Sequence, residues 1–323
     1  MLEENNIMVG ILILNYNNWE DTINCIESVE EYNTAPIKYI IIDNGSTREG
    51  TIEALDDYLS KTFVGKYKKV SENNNGDKTL PYITFLTSKT NDGYARGNNK
   101  GLRLAYNDDE IDDIMILNND ILFIQDIIPM LLKKRSGIDD CGIISPILYG
   151  RDGRTIDHNC ARKNVNPWIL IHAYLFFYRD FLWIQSYGSK CQIMLKHNPE
   201  LMQKEIIEIE LPSGSCMLIS KSLMQEIGGF DPHTFLYYEE NILYSKLKKK
   251  CKKNYLDTGC KCIHLGACST SKAPSAFALT KQFESSIYYL ENYCNLSCVQ
   301  KILLGIGKRM FRLKLKLISL FKR

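Results

Sequence analysis

The chain has 323 residues, 45% of them hydrophobic and 24% charged, which excludes a disordered, collagenous or small disulfide-scaffold protein. At roughly 100–200 residues per domain, the length allows one large domain or two ordinary ones. The formal charge of +2 joins unlike parts, because residues 301–323 hold eight Lys and Arg and no acid, leaving about six net negative charges on the rest.

The first residues, MLEENNIMVG, have no basic segment and no long apolar core, so they are not read as a secretory signal. The 11 cysteines are accordingly expected as reduced thiols of a cytosolic chain. Met8–Leu14 is an unbroken apolar run, which predicts a strand buried on both faces, and it ends in Asn15-Tyr16-Asn17-Asn18. Trp19–Glu31, with Ile23, Ile26 and Val29 at helical spacing, predicts a helix. Lys38–Ile42 is a second strand, ending in Asp43-Asn44-Gly45-Ser46-Thr47, and a helix follows through Ile52, Leu55 and Leu59. Ser71–Lys78 reads as a loop and Tyr82–Leu86 as a third strand. The turn Asn91-Asp92-Gly93 opens a helix over Tyr94–Tyr106, and Ile114–Leu117 is a fourth strand ending in Asn118-Asn119-Asp120. Strands alternating with helices predict a doubly wound parallel sheet. Ligands bind such sheets beyond the carboxyl ends of the strands, where all these polar clusters fall.

Beyond Ser136 the pattern loosens. Ile143–Tyr149, Ile206–Leu211 and Cys216–Ser220 read as strands, Ser222–Ile227 and Glu239–Lys250 as helices. Pro167–Tyr187 is strongly apolar but carries His172, Arg179 and Asp180. It is too polar for a membrane span and reads as buried core or a subunit contact, with membrane contact as the lesser alternative. Cys251, Cys260, Cys262, His264 and Cys268 lack the tight C-x-x-C pairs of a zinc site and are expected as buried thiols. Ser, Lys and Pro cluster at Ser271–Ser275, a plausible boundary.

Several residues could carry chemistry. Asp43, at a strand end, suits a ribose or base edge or a cap on the next helix. The segment NDGYARGNNKG sets three glycines at a loop-to-helix junction, where free N–H groups and Arg96 would favour a diphosphate; a plain glycine-rich turn explains it equally. Asn118-Asn119-Asp120 suits a hard cation or an Asx turn. Glu239-Glu240 follows Phe235-Leu236-Tyr237-Tyr238, so desolvation could raise one carboxyl toward the range of a general base; acids at a helix N-terminus are the alternative. A lone His264 is more often structural than a ligand.

Taken together, ILILNYNNWEDTINCIESV, IIDNGSTREG, NDGYARGNNKG, IMILNND, SGSCMLISKSLMQEIGGFDPHTFLYYEEN and IHLG, in this order over residues 8–270, resemble family 2 glycosyltransferases of the GT-A fold, in the rhamnosyltransferase-like branch of bacterial surface polysaccharide synthesis. The resemblance implies an α/β fold with a Rossmann-like, mostly parallel sheet over residues 1–270, and the composition of 271–323 adds a helical, amphipathic, basic membrane-association segment. It implies that Asn15, Tyr16, Asn17, Asp43 and Ser46 hold the nucleoside and that Asn91, Gly93, Arg96, Gly97, Asn98, Asn99 and Asn118 line the nucleotide-sugar pocket. It further implies that Asp120 and His264 hold Mg²⁺ or Mn²⁺, that Asp231 of the G-F-D element lies near the sugars, and that Glu240, with Glu239 second, is the catalytic base. Two departures stand out: Glu240 replaces the usual Asp, and Ile242 falls where another acid is common.

The implied reaction is an inverting transfer from a nucleotide-sugar donor, such as dTDP-rhamnose or a UDP-sugar, to a glycan or polyprenyl-diphosphate-linked acceptor. The alternative is a non-catalytic nucleotide-sugar-binding subunit; a nucleotidyltransferase is disfavoured because its glycine- and arginine-rich N-terminal loop is missing. The tail mixes Ile302, Ile306, Phe311 and Leu313 with its cations, the composition of a helix lying on an anionic membrane or packed on the body. The expected placement is cytoplasmic, peripheral on the inner membrane, with a homo-oligomer left open and nucleic acid not expected as a partner.

Overall fold

A computed structural model describes residues 7–73, 77–176, 194–266 and 276–321. Strands β1 (Met8–Asn15), β2 (Ile37–Asp43), β3 (Tyr67–Ser71), β4 (Ile83–Thr87) and β5 (Ile111–Asn118) lie parallel in the order β3-β4-β2-β1-β5. Beyond β5 the sheet turns mixed. The later strands are β6 (Ile121–Phe123), β7 (Cys141–Tyr149), β8 (Ala161–Arg162), β9 (Ile206–Ile209), β10 (Leu211–Pro212), β11 (Cys216–Ser220) and β12 (Lys253–His264). β11 runs antiparallel to β5 and β7, while β12 runs parallel to β7 and antiparallel to β6 and β9. β8 and β10 form a separate two-stranded ladder.

The sheet is covered on both faces, and the two-residue period of its strands decides which side chain goes where. Val9, Ile11 and Ile13 join one core with helices α1 (Trp19–Tyr32), α2 (Thr51–Thr62) and α4 (Ile127–Ser136). Leu12, Ile40 and Ile42 join the other, with α3 (Gly93–Asn107), α6 (Lys221–Glu226) and α7 (Glu239–Lys249). A third core sits apart: Leu170, Ile171 and Tyr174 of α5 (Pro167–Leu175), Ile242 of α7, Phe283 and Leu290 of α8 (Ala276–Tyr293), and Leu304 and Phe311 of α9 (Cys298–Phe321).

The predicted α/β architecture is thus present, with differences that have physical reasons. β3 was not foreseen: it is an edge strand whose Lys68 and Lys69 face solvent and of which only Val70 is buried, a common guard against edge pairing that erases the apolar signal. The 12-residue β12 ends at His264. The run Ile206–Leu211 divides into β9 and β10, which pair with different strands. Of Pro167–Tyr187, α5 is a core helix, and residues 177–187 lie outside the described residues, as do Cys268 and the boundary at 271–275. Cys260 and Cys262 are buried free thiols and Cys251 is exposed; among the described residues no three His, Cys, Asp or Glu side chains form a metal-holding group.

Lys38 is buried inside β2, where its ammonium meets Asp108 at 2.9 Å and the half-exposed Glu110 at 2.6 Å. Asp108 also accepts from the N–H groups of Leu80, Glu110 and Ile111. Burial alone would raise this carboxyl, but Lys38 and those amides hold it below the usual aspartate value. The carboxylate therefore contributes stability above the ordinary aspartate value, and this is lost as pH falls through the lower folded value. Asp108→Ala should cost about 3–5 kcal/mol near neutral pH, as for removal of one partner of a buried ion pair. Urea titrations at pH 7 and in acid should show that deficit narrowing in acid.

Candidate functional site

The register of the parallel strands aligns Asn15 with Asp43 and Leu14 with Asn118, and Asp43 with Thr87. Four strand ends therefore open on one edge. Asn15 is wholly buried; its Nδ2 donates to Asp43 Oδ2 at 2.8 Å and its Oδ1 accepts from Thr22 at 2.9 Å. Asp43 accepts from the Ser46 amide at 3.0 Å and the Ser46 hydroxyl at 2.5 Å. It does not cap the following helix, whose N-cap is Gly50; it closes its own turn. Ser46 in turn accepts from the Asn17 amide at 2.8 Å, so the two loops are stitched together. Tyr16 leaves its ring 42% exposed above them, and bonds to Thr47 and Asn91 hold its hydroxyl below the usual tyrosine value. An exposed, fixed ring beside buried amides is suited to a nucleobase.

The glycine-rich segment works differently from the anion cradle it suggested. Gly93 has φ +79, and a Cβ there would lie 2.1 Å from the Phe235 carbonyl oxygen. That carbonyl takes the Tyr94 N–H at 2.8 Å. A Cβ on Gly97 would strike Leu14 at 2.7 Å and Asn44 at 3.1 Å. Asn99 donates to and accepts from the Phe230 backbone, at 2.9 and 3.0 Å, and Arg96 Nε donates to the Pro232 carbonyl at 2.7 Å. Arg96 and Asn99 thus secure the protein's own 230–235 loop. Asn91 Oδ1 accepts from Asn44 Nδ2 at 3.1 Å and the Gly93 amide at 2.9 Å. Asn98 is fully buried, with its Oδ1 unpartnered.

Asp120 sits at the turn from β5 to β6. His264, closing β12, pairs in register with Ile121, which brings its Nε2 to 3.4 Å from Asp120 Oδ2. Its Nδ1 lies 3.0 Å from Asp157. Burial opposes a charged imidazole here, but the Asp120 and Asp157 carboxylates prevail and raise it to about 9. Asn118 donates to Ser215 Oγ at 3.1 Å, and Asn119 donates to the Asn18 carbonyl and the Thr22 hydroxyl, both at 3.0 Å.

Glu239 and Glu240 open α7 after two consecutive left-handed residues, Tyr237 (φ 73) and Tyr238 (φ 71). Both carboxylates border a cavity of about 300 Å³, which Asn118, Ser215, Tyr94 and Arg162 also line. Glu240 Oε1 accepts from the Gly214 amide at 3.1 Å and faces the Arg162 guanidinium at 3.4 Å. Burial, reinforced by the charge of Glu240, pushes Glu239 up to about 8, and one of its oxygens is unpartnered. The raised carboxyl foreseen for this pair is therefore Glu239. Asp231 is engaged within the protein: Oδ1 accepts from the His233 amide and Nδ1, and Oδ2 from the hydroxyls of Tyr288 and Tyr293. Burial would raise it, but these donors bring it down to about 2. Ile242, where an acid was expected, is fully buried in the third core, where a carboxylate would lack a partner.

Residues 10–228 match the family described as Glycosyl transferase family 2. The chain belongs to glycosyltransferase family 2. Asp231, Glu239, Glu240 and His264 lie beyond the matched stretch. The chain is 23% identical over 232 residues to the low-salt glycan biosynthesis hexosyltransferase Agl10 of Haloferax volcanii, covering 72% of this chain and 59% of that protein. It is also 23% identical over 269 residues to the N-acetylglucosaminyl-diphospho-decaprenol L-rhamnosyltransferase of Mycobacterium tuberculosis, covering 80% of this chain and 76% of the other. Among solved structures, GalNAc-T7 with UDP, GalNAc and Mn²⁺ superposes with a TM-score of 0.57 at 13% identity, over 95% of this chain and 55% of that one. That likeness establishes the GT-A fold of this family 2 chain.

Three site residues escaped the motifs. Arg162 lies in a two-residue strand, too short for any periodicity. Asp157 precedes a single 3-10 turn. Asn44 stood beside Asp43 and was passed over; its amide donates to Asn91 and to the Gly93 carbonyl. Gly93→Ala should cost at least about 1–2 kcal/mol, since alanine resists φ > 0 and its methyl would displace Phe235; urea unfolding monitored by circular dichroism checks this.

Proposed function

We propose that this family 2 glycosyltransferase moves a sugar, with inversion, from a nucleoside-diphosphate donor to a hydroxyl of a glycan acceptor. One observation carries this reading: Asn118, two residues before Asp120, lines the same cavity as Glu239 and Glu240. A leaving group held beside Asp120 would then lie next to the cavity that Glu239 and Glu240 border. The donor set suits a divalent cation, which would take the place of the Nε2 proton: a carboxylate and an imidazole meet at one point, with Asp157 fixing the ring through the other nitrogen. Two protein ligands leave positions for diphosphate oxygens and water. Held by Asp120 and His264, Mg²⁺ or Mn²⁺ would supply positive charge to the diphosphate.

The chain's own residues account for the rest. Asn15, Asp43 and Ser46 set the shape of the nucleoside loops, and Tyr16 offers its ring to the base. Glu239 is the buried member of the pair, and burial favours its neutral form; Glu240, which faces the cavity beside Arg162 and the Gly214 amide, is the proton acceptor. As the acceptor oxygen bonds to the anomeric carbon, its proton passes to Glu240 and the nucleoside diphosphate leaves from the opposite face. Arg162 and the Gly214 amide aim that carboxylate.

The finer assignment, dTDP-rhamnose or a UDP-sugar to a lipid-linked acceptor in bacterial surface polysaccharide assembly, is supported by relatives named for hexosyl transfer and for rhamnosyl transfer to a diphospho-decaprenol glycan. Among the described residues no helix is long and apolar enough to cross a membrane. α9 packs on α5 and α8 through Leu304 and Phe311, yet Ile302 and Leu313 remain 65% and 61% exposed, near the exposed Lys301, Arg309 and Arg312. That outer face supports a peripheral seat on the anionic cytoplasmic leaflet.

Glu240→Gln should lower kcat by about 10²–10⁴, the usual contribution of a positioned base, whereas Glu239→Gln, which mimics the protonated form, should retain most activity at pH 7. Both are read by nucleoside-diphosphate release from a panel of UDP- and dTDP-sugars with Mn²⁺. Full activity in Glu240→Gln would sink the assignment, and no release by the wild type from any donor would favour the binding-subunit alternative. Each Lys or Arg near an anionic surface contributes about 1 kcal/mol. The triple reversal Lys301→Glu, Arg309→Glu, Arg312→Glu should therefore lower cosedimentation with phosphatidylglycerol vesicles at least tenfold and leave the weak binding to phosphatidylcholine unchanged.

A further inference from the structure

Glu239 and Glu240 follow a turn that its own backbone does not favour. Tyr237 and Tyr238 are consecutive non-glycine residues in the left-handed region, which side chains with a Cβ rarely adopt. Such a turn persists only where its surroundings over-determine it. One set of restraints comes from α3, whose Tyr94, Arg96 and Asn99 hold Phe235, Pro232 and Phe230.

The other set comes from α8, which lies outside the stretch that matches the family. Ser285, 3% exposed, donates its hydroxyl to the Leu236 carbonyl at 2.9 Å. The hydroxyls of Tyr288 and Tyr293 donate to Asp231 Oδ2 at 2.9 and 2.5 Å. The Tyr289 ring lies 5.6 Å from that of Tyr238. Packing of the third core needs the rings of α8 and not these hydroxyls. All three hydroxyls end on acceptors of the 231–236 segment, which leads directly into the strained turn.

We propose that α8 is a positioning element of the transferase: Ser285, Tyr288 and Tyr293 lock the 231–240 loop into the shape that turns Glu239 and Glu240 into the cavity. None of the three is a catalytic residue; each acts through the loop. α8 then serves catalysis through the loop, whether or not α9 also meets a membrane. This deepens the reading of Glu240 as base and rests on it only for the kinetic arm of the test.

The test uses the full chain with Tyr288→Phe/Tyr293→Phe together, and Ser285→Ala separately. In hydrogen–deuterium exchange, amides of residues 231–240 should exchange at least tenfold faster in the double variant and detectably faster in Ser285→Ala, with β1 and β5 unchanged. With a donor turned over by the wild type, kcat should fall at least tenfold, while the Kd for UDP or dTDP with Mn²⁺ stays within about twofold. Unchanged loop exchange in both variants would overturn the proposal, as would faster exchange with an unchanged kcat. If the double variant lost cooperative thermal unfolding, Ser285→Ala, which removes one hydroxyl and no ring, decides alone by the same readouts. Glu240→Gln serves as the control: full activity there would reject the base, while the exchange arm would still decide whether α8 restrains the loop.

Discussion

A strand buried on both faces must surrender its first polar residue at the sheet edge, and β1 imposes that condition on its neighbours. Asn15 is fully buried, yet its amide is engaged at both ends, by Asp43 on one side and Thr22 and Asn119 on the other. An unpaired buried amide would cost about 1–3 kcal/mol, so the loops after β2 and β5 close over this residue. The parallel register does the rest: the Asp43–Ser46 turn and the Asn118-Asn119-Asp120 turn become neighbours because their strands pair with the same central one. The placement of the site thus follows from burial and pairing before any ligand enters.

That logic explains what was legible in the sequence. The runs at Met8–Leu14 and Lys38–Ile42 announce doubly covered strands, and the polar residues that end them mark the edge where the loops converge. Elements with a weaker apolar signal were hidden: β3 buries Val70 alone of its five residues, and β8 is two residues long. Contacts between distant segments were hidden for another reason. Arg162 meets Glu240, and Ser285 meets Leu236, across 78 and 49 residues of chain, and no local pattern encodes such a meeting. Ile242 shows the converse case: an apparent lapse in a family pattern is a demand of the third core, visible only once α8 lies against it.

The glycine-rich segment carries a related lesson. Its glycines looked like a place for an anion, and they are places for backbone and side chains of this same protein. Gly93 lets the Phe235 carbonyl approach, Gly97 admits Asn44 and Leu14, and Asn99 locks Phe230. α3 thereby joins the carboxyl ends of β1 and β2 to the 230–240 segment. The left-handed pair Tyr237-Tyr238 is restrained by α3 on one side and α8 on the other, so the geometry of the carboxylates is a property of three distant stretches of chain.

Gly307 lies where α9 crosses α5; a Cβ there would come within 2.8 Å of the Tyr174 side chain. Tyr174 in turn packs edge-on against Phe283 and Phe311, whose own rings stack 4.4 Å apart. A shortened protein ending before residue 300, an obvious choice for improving solubility, would strip this aromatic cluster of Phe311 and leave the faces of Tyr174 and Phe283 in water. Its inactivity or aggregation would then report a broken hydrophobic joint rather than the loss of a lipid tether. Recombinant versions of this enzyme should keep the last helix intact and tune solubility through its outer charges instead.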